Sequence, residues 1–543
     1  YDGAISSAGS AIVQARSQQT LVTVGVGGAG SGNFALGGSI AVTELNGATT
    51  VNADPNVTAG SSNKAWNVNN LTVSAQEGSS VVSFAGTIGV ASNVGIGAAL
   101  GFVTSNRNVS TSISGDLTIT TTGHTAITAG SQLPAGATAN SEVTTAFNNL
   151  PDEAFADSDP ATDDSGLSRT STANSQIVNI GVAASGSRSN AFGFNLGKTS
   201  IDRDITASVG SGVIVNANTS STADIDAETA RDSGFEVSAN DKTSVVSVAV
   251  GAGIVPGAGS PTTLAIAGSV ALNDIDTKVE AKVLSGATIN LTSHADLLVG
   301  TTNEAKIISI ALGAAVSVGG AESRGSGGVG FSAAVSTIET ETASVLNGTV
   351  TGTGNNAVFV TADNESVIVN VSIAAAVATQ AGAAVSVAGG GAGSGAFIKG
   401  ATYALVENAS VTTGNMTVSA ENDAEIRSVV LAVAVSIAAG QQGAAVSIGV
   451  GIANNETNGI TGLPTAFSGH DGFLTGALIK DSIVDLSGAL SVLAKSTQLV
   501  RADVVSAAVG VAATGGFSLS LSGAGASAEN RGNASVYAAI VGS

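Results

Sequence analysis

The stretch FEVSANDKTSVVSVAVGAGIVPGAGSPTTLAIAGSVALNDIDTKVEAKVLSGATINL, Phe235 to Leu291, decides the fold, because its alternation, breaks and turns recur from end to end of the chain. It opens on a short strand, FEVSA (Phe235 to Ala239), followed by a polar segment, Asn240-Asp241-Lys242, that reads as a turn. From Val245 to Gly251 the side chains alternate between two faces, with Val246, Val248 and Val250 on one and Ser247, Ala249 and Gly251 on the other. A Gly/Pro break running to Pro261 leads into a second strand, which sets Leu264, Ile266, Val270 and Leu272 opposite Ala265, Ala267, Ser269 and Ala271. Asn273-Asp274 reads as another turn and Ser285-Gly286 as the last.

The large-residue alternation occurs eight times, beginning near Val22, Val82, Val178, Val246, Ile308, Val367, Val429 and Val505. Ahead of most copies stands a strand ending in alanine, as at Ala75, Ala239 and Ala420, and the second strand recurs as FALGGSIAV from Phe34 and VGIGAALGF from Val94. A fixed period of about sixty residues is the signature of stacked units that complete their cores against one another. No i, i+3, i+4 stripe is sustained, and Val, Ile, Thr and Gly argue against helix. The fold expected is all-β, a parallel β-solenoid of about eight repeats of ~60 residues, with residues 1–543 a single continuous array. The array starts and stops inside a unit, without polar caps, so the expectation is a section of a longer chain or ends that pair with other copies.

Composition narrows the function. Charged residues are 11% of the chain while glycine alone supplies 71 of the 543, so small side chains occupy places where charges normally sit, and most strands are expected to be buried on both faces. Glycine weakens a strand, and its abundance on the small face points to close approach of another sheet or chain. Aromatics at 3% leave little for base stacking, sugar platforms or the girdles of membrane barrels. The balance of 19 basic against 40 acidic residues, net charge −21, repels nucleic acid and anionic membranes. There is no cysteine. Residues 366–398 and 428–455 are uncharged and long enough to cross a bilayer as helices, but they alternate β-branched with tiny residues and carry glycines, so strands and no membrane span are expected.

Two segments interrupt the period. Residues 131–172 form an acidic, proline-containing insertion in which Asp157, Asp159, Asp163 and Asp164 lie close enough together to supply oxygens to a calcium ion, against the competing reading of a solvated loop. Residues 458–475 form a shorter Gly/Pro insertion with Pro464, His470 and Asp471. The three histidines, His124, His294 and His470, are far apart and outside any metal-ligand spacing, and no nucleophile motif with partners occurs, so no enzymatic activity, catalytic residue or resident cofactor is expected. The polar segments Asn240-Asp241, Asp363-Asn364-Glu365 and Glu421-Asn422-Asp423 hold equivalent places in the unit, and stacking would bring their carboxylates together. Splayed turns, Lys242 with neighbouring bases, or weakly held divalent cations would offset the repulsion.

VVSVAVGAGI, GSVALNDI and the recurring NLTVSA or MTVSA strand resemble the Gly/Ala/Val-rich β-strand repeats of very large bacterial surface and secreted proteins, the filamentous-haemagglutinin-like adhesins and leukotoxin-type exoproteins. That resemblance implies export to the cell surface or outside the cell, a parallel β-solenoid, and a role in adhesion, matrix or fibre. The function expected is therefore a non-enzymatic section of an extracellular fibre, matrix or giant adhesin. Its partners would be other copies of itself, end to end or laterally, and a host or neighbouring-cell surface. The alternative is a secreted toxin or receptor-binding exoprotein whose active region lies outside this segment.

Overall fold

The computed structural model describes residues 5–6, 9–53, 64–130, 175–219, 234–257, 260–382 and 384–543. Its chain is an all-β parallel solenoid. One coil shows how the quoted stretch builds it. Phe235–Val255 is a single long strand in a first sheet; the chain turns and runs back as Thr262–Val283 in a second sheet; Gly286, at φ +87°, makes the next corner, and Thr288–Ser293 adds a short strand to a third sheet. The next coil starts at Leu297, and Phe235 pairs with Leu297 as the first of an unbroken parallel register ending at Val255 and Ser317. The same three-strand course repeats along the described chain, giving eight rungs in the first sheet from Ser10–Ser31 to Leu490–Thr514.

Alternation fixes the inside. Toward the third sheet, Phe235, Val237, Leu297 and Val299 meet Val279, Val283, Ile289 and Trp66 in a continuous apolar core. A middle row follows, with Val245, Ile307 and Ile368 against Ile275, Ile338 and Ile398. Beyond it the two long sheets meet on small residues, Ala249 and Ala311 against Ala271 and Ala334, among buried Ser247, Ser269 and Ser309. Next in line are two positions that admit only glycine: a Cβ on Gly251 would stand 2.1 Å from the Gly268 carbonyl oxygen, and one on Gly313 2.1 Å from that of Phe331. The sheets there lie well inside the roughly 10 Å of ordinary sheet packing. Each coil is thus a wide three-sided base joined to a thin two-sheet blade.

Three sequence expectations change. Asn240-Asp241-Lys242 and Asn273-Asp274 do not turn; both lie inside long strands, because adjacent coils complete their ladders and local turn preference loses to stacking. The middle residue of the first segment points inward, where Asp241 meets the guanidinium of Arg203 at 3.5 Å, and its successors Asn303, Asn364 and Asn422 form a chain of side-chain amide hydrogen bonds 2.7 Å long. Burial on both faces holds only in part: it is found at the middle of first-sheet strands, as at Val245 with Val246 and Ile307 with Ile308, whereas on the second sheet the small face is inside and the large aliphatic face of the blade looks outward.

The insertions interrupt rungs without shifting them. Thr125–Gly130 and Ser175–Ser187 share one rung of the first sheet, Gly130 opposite Gln76 and Ser175 opposite Ser79. The shorter excursion occupies residues 459–472, narrower than its sequence limits, and the second sheet resumes at Phe473–Lys480, with Asn458 opposite Lys399 and Leu474 opposite Ala401.

Candidate interaction surface

The outer surface of every coil divides at nearly the same height. On the first sheet, outward-phased Glu304 and Lys306 give way within one alternation to Ile308, Ile310 and Leu312, as Glu365 gives way to Val367, Val369 and Val371, with Leu312 and Val371 partly exposed and the other aliphatics buried in one cluster. On the second, Leu264, Ile266, Val270 and Leu272 precede Asp274 and Asp276. Strand alternation forces this: with Ala, Ser and Gly committed to the tight interior of the blade, the large residues must face out. In the first coil Val26 is 75% exposed, and at the other end Val505, Leu519 and Leu521 are exposed too. On the second sheet the apolar band from Leu264 to Leu272 is about 30 Å high, and eight rungs at ~4.8 Å make it about 34 Å long, roughly 1,000 Å²; on the first sheet Val178, Val246, Ile308, Ile310, Val367 and Val369 of the matching row are buried together.

The two sides differ. The first-sheet side is broken by a shallow open recess of about 710 Å³, where Ala184 and Gly186 sit between Val90 and Ile254. The second-sheet side carries an aromatic pair at its centre: Phe194 and Phe331, two coils apart, lean together over Gly268 with ring centroids at 6.1 Å, and remain 37% and 38% exposed.

Below the band the base is charged. On the second sheet Asp202, Asp276 and Glu339 occupy one ladder across three coils. Burial, then Glu339 and the neighbouring aspartates, pushes the Asp276 carboxyl up to about 6. On the first sheet Asp363 pairs in register with Glu421, and Glu365 with Asp423, as their equivalent positions required. Burial first, and Glu421 second, pushes Asp363 up to about 6. Bases relieve the row: Lys242 binds Glu304, Lys495 binds Glu421 and Arg427 binds Glu425.

Asp157, Asp159, Asp163 and Asp164, the calcium candidates, lie outside the described residues. The three histidines stay separate. His124 is 3.8 Å from Glu236, His294 sits at a corner below the third sheet, and His470 lies in the 459–472 loop against Tyr537. That loop covers the outer face of the second sheet at its base, burying Phe467 against Tyr403. Sequence reading missed a buried charge cluster inside the base: Glu77 binds Arg203 and lies 3.4 Å from Arg107. Its signal was phase, since Arg203 falls between Ile201 and Ile205 on the inward side of the alternation. No protein-family model, curated protein or solved structure matches the chain.

Proposed function

We propose that this chain is a non-enzymatic structural protein, a section of an extracellular fibre, matrix or adhesin that acts by self-association and surface contact. The observation that carries this reading is the apolar second-sheet side of the blade, where Phe34, Ile40, Phe194, Phe331, Val387 and Ile448 are exposed along the stack of coils. Monomeric soluble proteins rarely keep contiguous apolar patches beyond a few hundred Å², and larger ones mark sites of association. The placement outside the cell rests on the repeat style shared with giant surface proteins. The low net cost of adding coils suits a protein whose task is reach, since stability in a stack grows with each interface. Sedimentation at increasing concentration, with electron microscopy of the same samples, tests the reading. Filaments or layers are expected, and a chain that stays monomeric at all concentrations overturns it.

A further inference from the structure

The second-sheet side of the blade has the marks of a self-complementary interface. We propose that it pairs with the same side of a second copy turned upside down about an axis parallel to the stack, so that each blade lies against the other and the two bases point in opposite directions. The proposal rests on the self-associating reading above and adds the surface, the partner and the orientation.

Four observations select this arrangement. The side offers about 1,000 Å², above the roughly 800 Å² per partner of a stable complex. Its centre holds the exposed Phe194–Phe331 pair, and aromatic anchors near the middle of an apolar face carry most of the energy of typical interfaces. The base rules out neighbours the same way up: it is the wide end, it carries the acidic ladder Asp202, Asp276 and Glu339, and the 459–472 loop stands on it. Same-way contact would set acid against acid and hold the blades apart, whereas inversion separates the acids by a blade height, well beyond the ~8 Å screening length.

Charge supplies the fourth. The corners joining the two long sheets carry exposed Arg188 and Arg324, neither ion-paired among the described residues. Counting from Phe331, Arg324 lies seven residues toward the corner and Glu339 eight toward the base; from Phe194, Arg188 lies six one way and Asp202 eight the other. A two-fold at the level of the phenylalanines keeps each coil facing its own counterpart, and so lays Arg324 beside Glu339 and Arg188 beside Asp202 of the second copy.

The chain has no cysteine, so single cysteines report orientation directly. An equal mixture of Arg324→Cys and Glu339→Cys proteins should form a disulfide between the two variants under mild oxidation, while neither links to itself. Phe331→Asp should weaken self-association at least ~30-fold, whereas Val250→Asp, on the opposite side, should change it less than ~3-fold, with circular dichroism confirming that both variants fold. Links between identical cysteines, or assembly that survives Phe331→Asp, would overturn this pairing and leave the self-associating reading standing. Uptake of the unmodified chain by neutral phosphatidylcholine vesicles, lost in Phe331→Asp, would overturn it in favour of a lipid surface. A chain monomeric throughout would remove both.

Discussion

Base and blade are cut from the same strands, yet they place their volume on opposite sides of the backbone. In Phe235–Val255 the inward residues run from Phe235 and Val237 through Val245 to Ala249 and Gly251, while the outward ones run from Glu236 and Lys242 to Val248 and Ile254. The base has an ordinary hydrophobic interior and a charged coat. The blade has an interior of backbone and small side chains, with amides such as Asn370 bonded to the backbone across it, and an oily second-sheet coat. Close approach of two sheets therefore substitutes for side-chain bulk, and dispersion between backbones replaces much of what a core of leucines would give.

If that contrast is right, removing volume should hurt the base most. Phe235→Ala leaves a cavity in the continuous core and should cost about 3 to 5 kcal/mol, read as a lower melting temperature and faster hydrogen exchange in the flanking coils. In the blade the damaging change is the reverse one. Ala267→Leu or Ala434→Leu has no room to grow and should cost about 1 to 3 kcal/mol, confined to neighbouring rungs, while outward Val250→Thr should stay within ~0.5 kcal/mol. Equal melting temperatures for the Ala434→Leu and Val250→Thr proteins would show that the blade interior is not tight.

A smaller effect sharpens the view of the coat of the base. Asp276 and Asp363 titrate near 6, above the 3.8 of an unperturbed aspartate, so the folded chain holds these protons more firmly than the unfolded one. Their contribution is fully present below about 3.8 and is lost as pH rises through 6. Acidifying from pH 7 to pH 5 should therefore raise the melting temperature by a few degrees, and Asp276→Asn should reduce that gain. The smallest effect expected is that of chelator. With Lys242, Lys495 and Arg427 already bound to the first-sheet row, removing divalent cations should lower melting by only a few degrees and leave the strands intact. Collapse of the β signal on adding chelator, restored by calcium and not by sodium, would make those carboxylates a calcium site.

Much of this was legible beforehand. The period, the strand type, the phase of large and small residues and the buried small face follow from Val246 to Ala271, because alternation is a local property of the chain. Whether the large face is covered as well was not legible, since a valine row packs equally well against a core or against its own neighbours, and the structure buries it in the middle of the first sheet and exposes it on the second. The misread turns share a cause. Asn240-Asp241 has turn chemistry, but Arg203, about forty residues earlier in the chain, neutralises Asp241 inside the base, and no local window contains that partner. The central aromatic pair escaped notice for the same reason, since Phe194 and Phe331 meet only through the stacking of coils between them.

Parallel ladders running along the stack also decide how such a chain would answer to being pulled. Traction on its two ends loads the hydrogen bonds between coils along their own direction, and each junction, such as the twenty-one paired positions from Phe235 with Leu297 to Val255 with Ser317, resists until it peels. A released coil of ~60 residues would pay out roughly 200 Å of slack, after which the next junction takes up the tension unaltered. The array would thus lengthen in a series of equal yields rather than snap, a tether that dissipates work coil by coil.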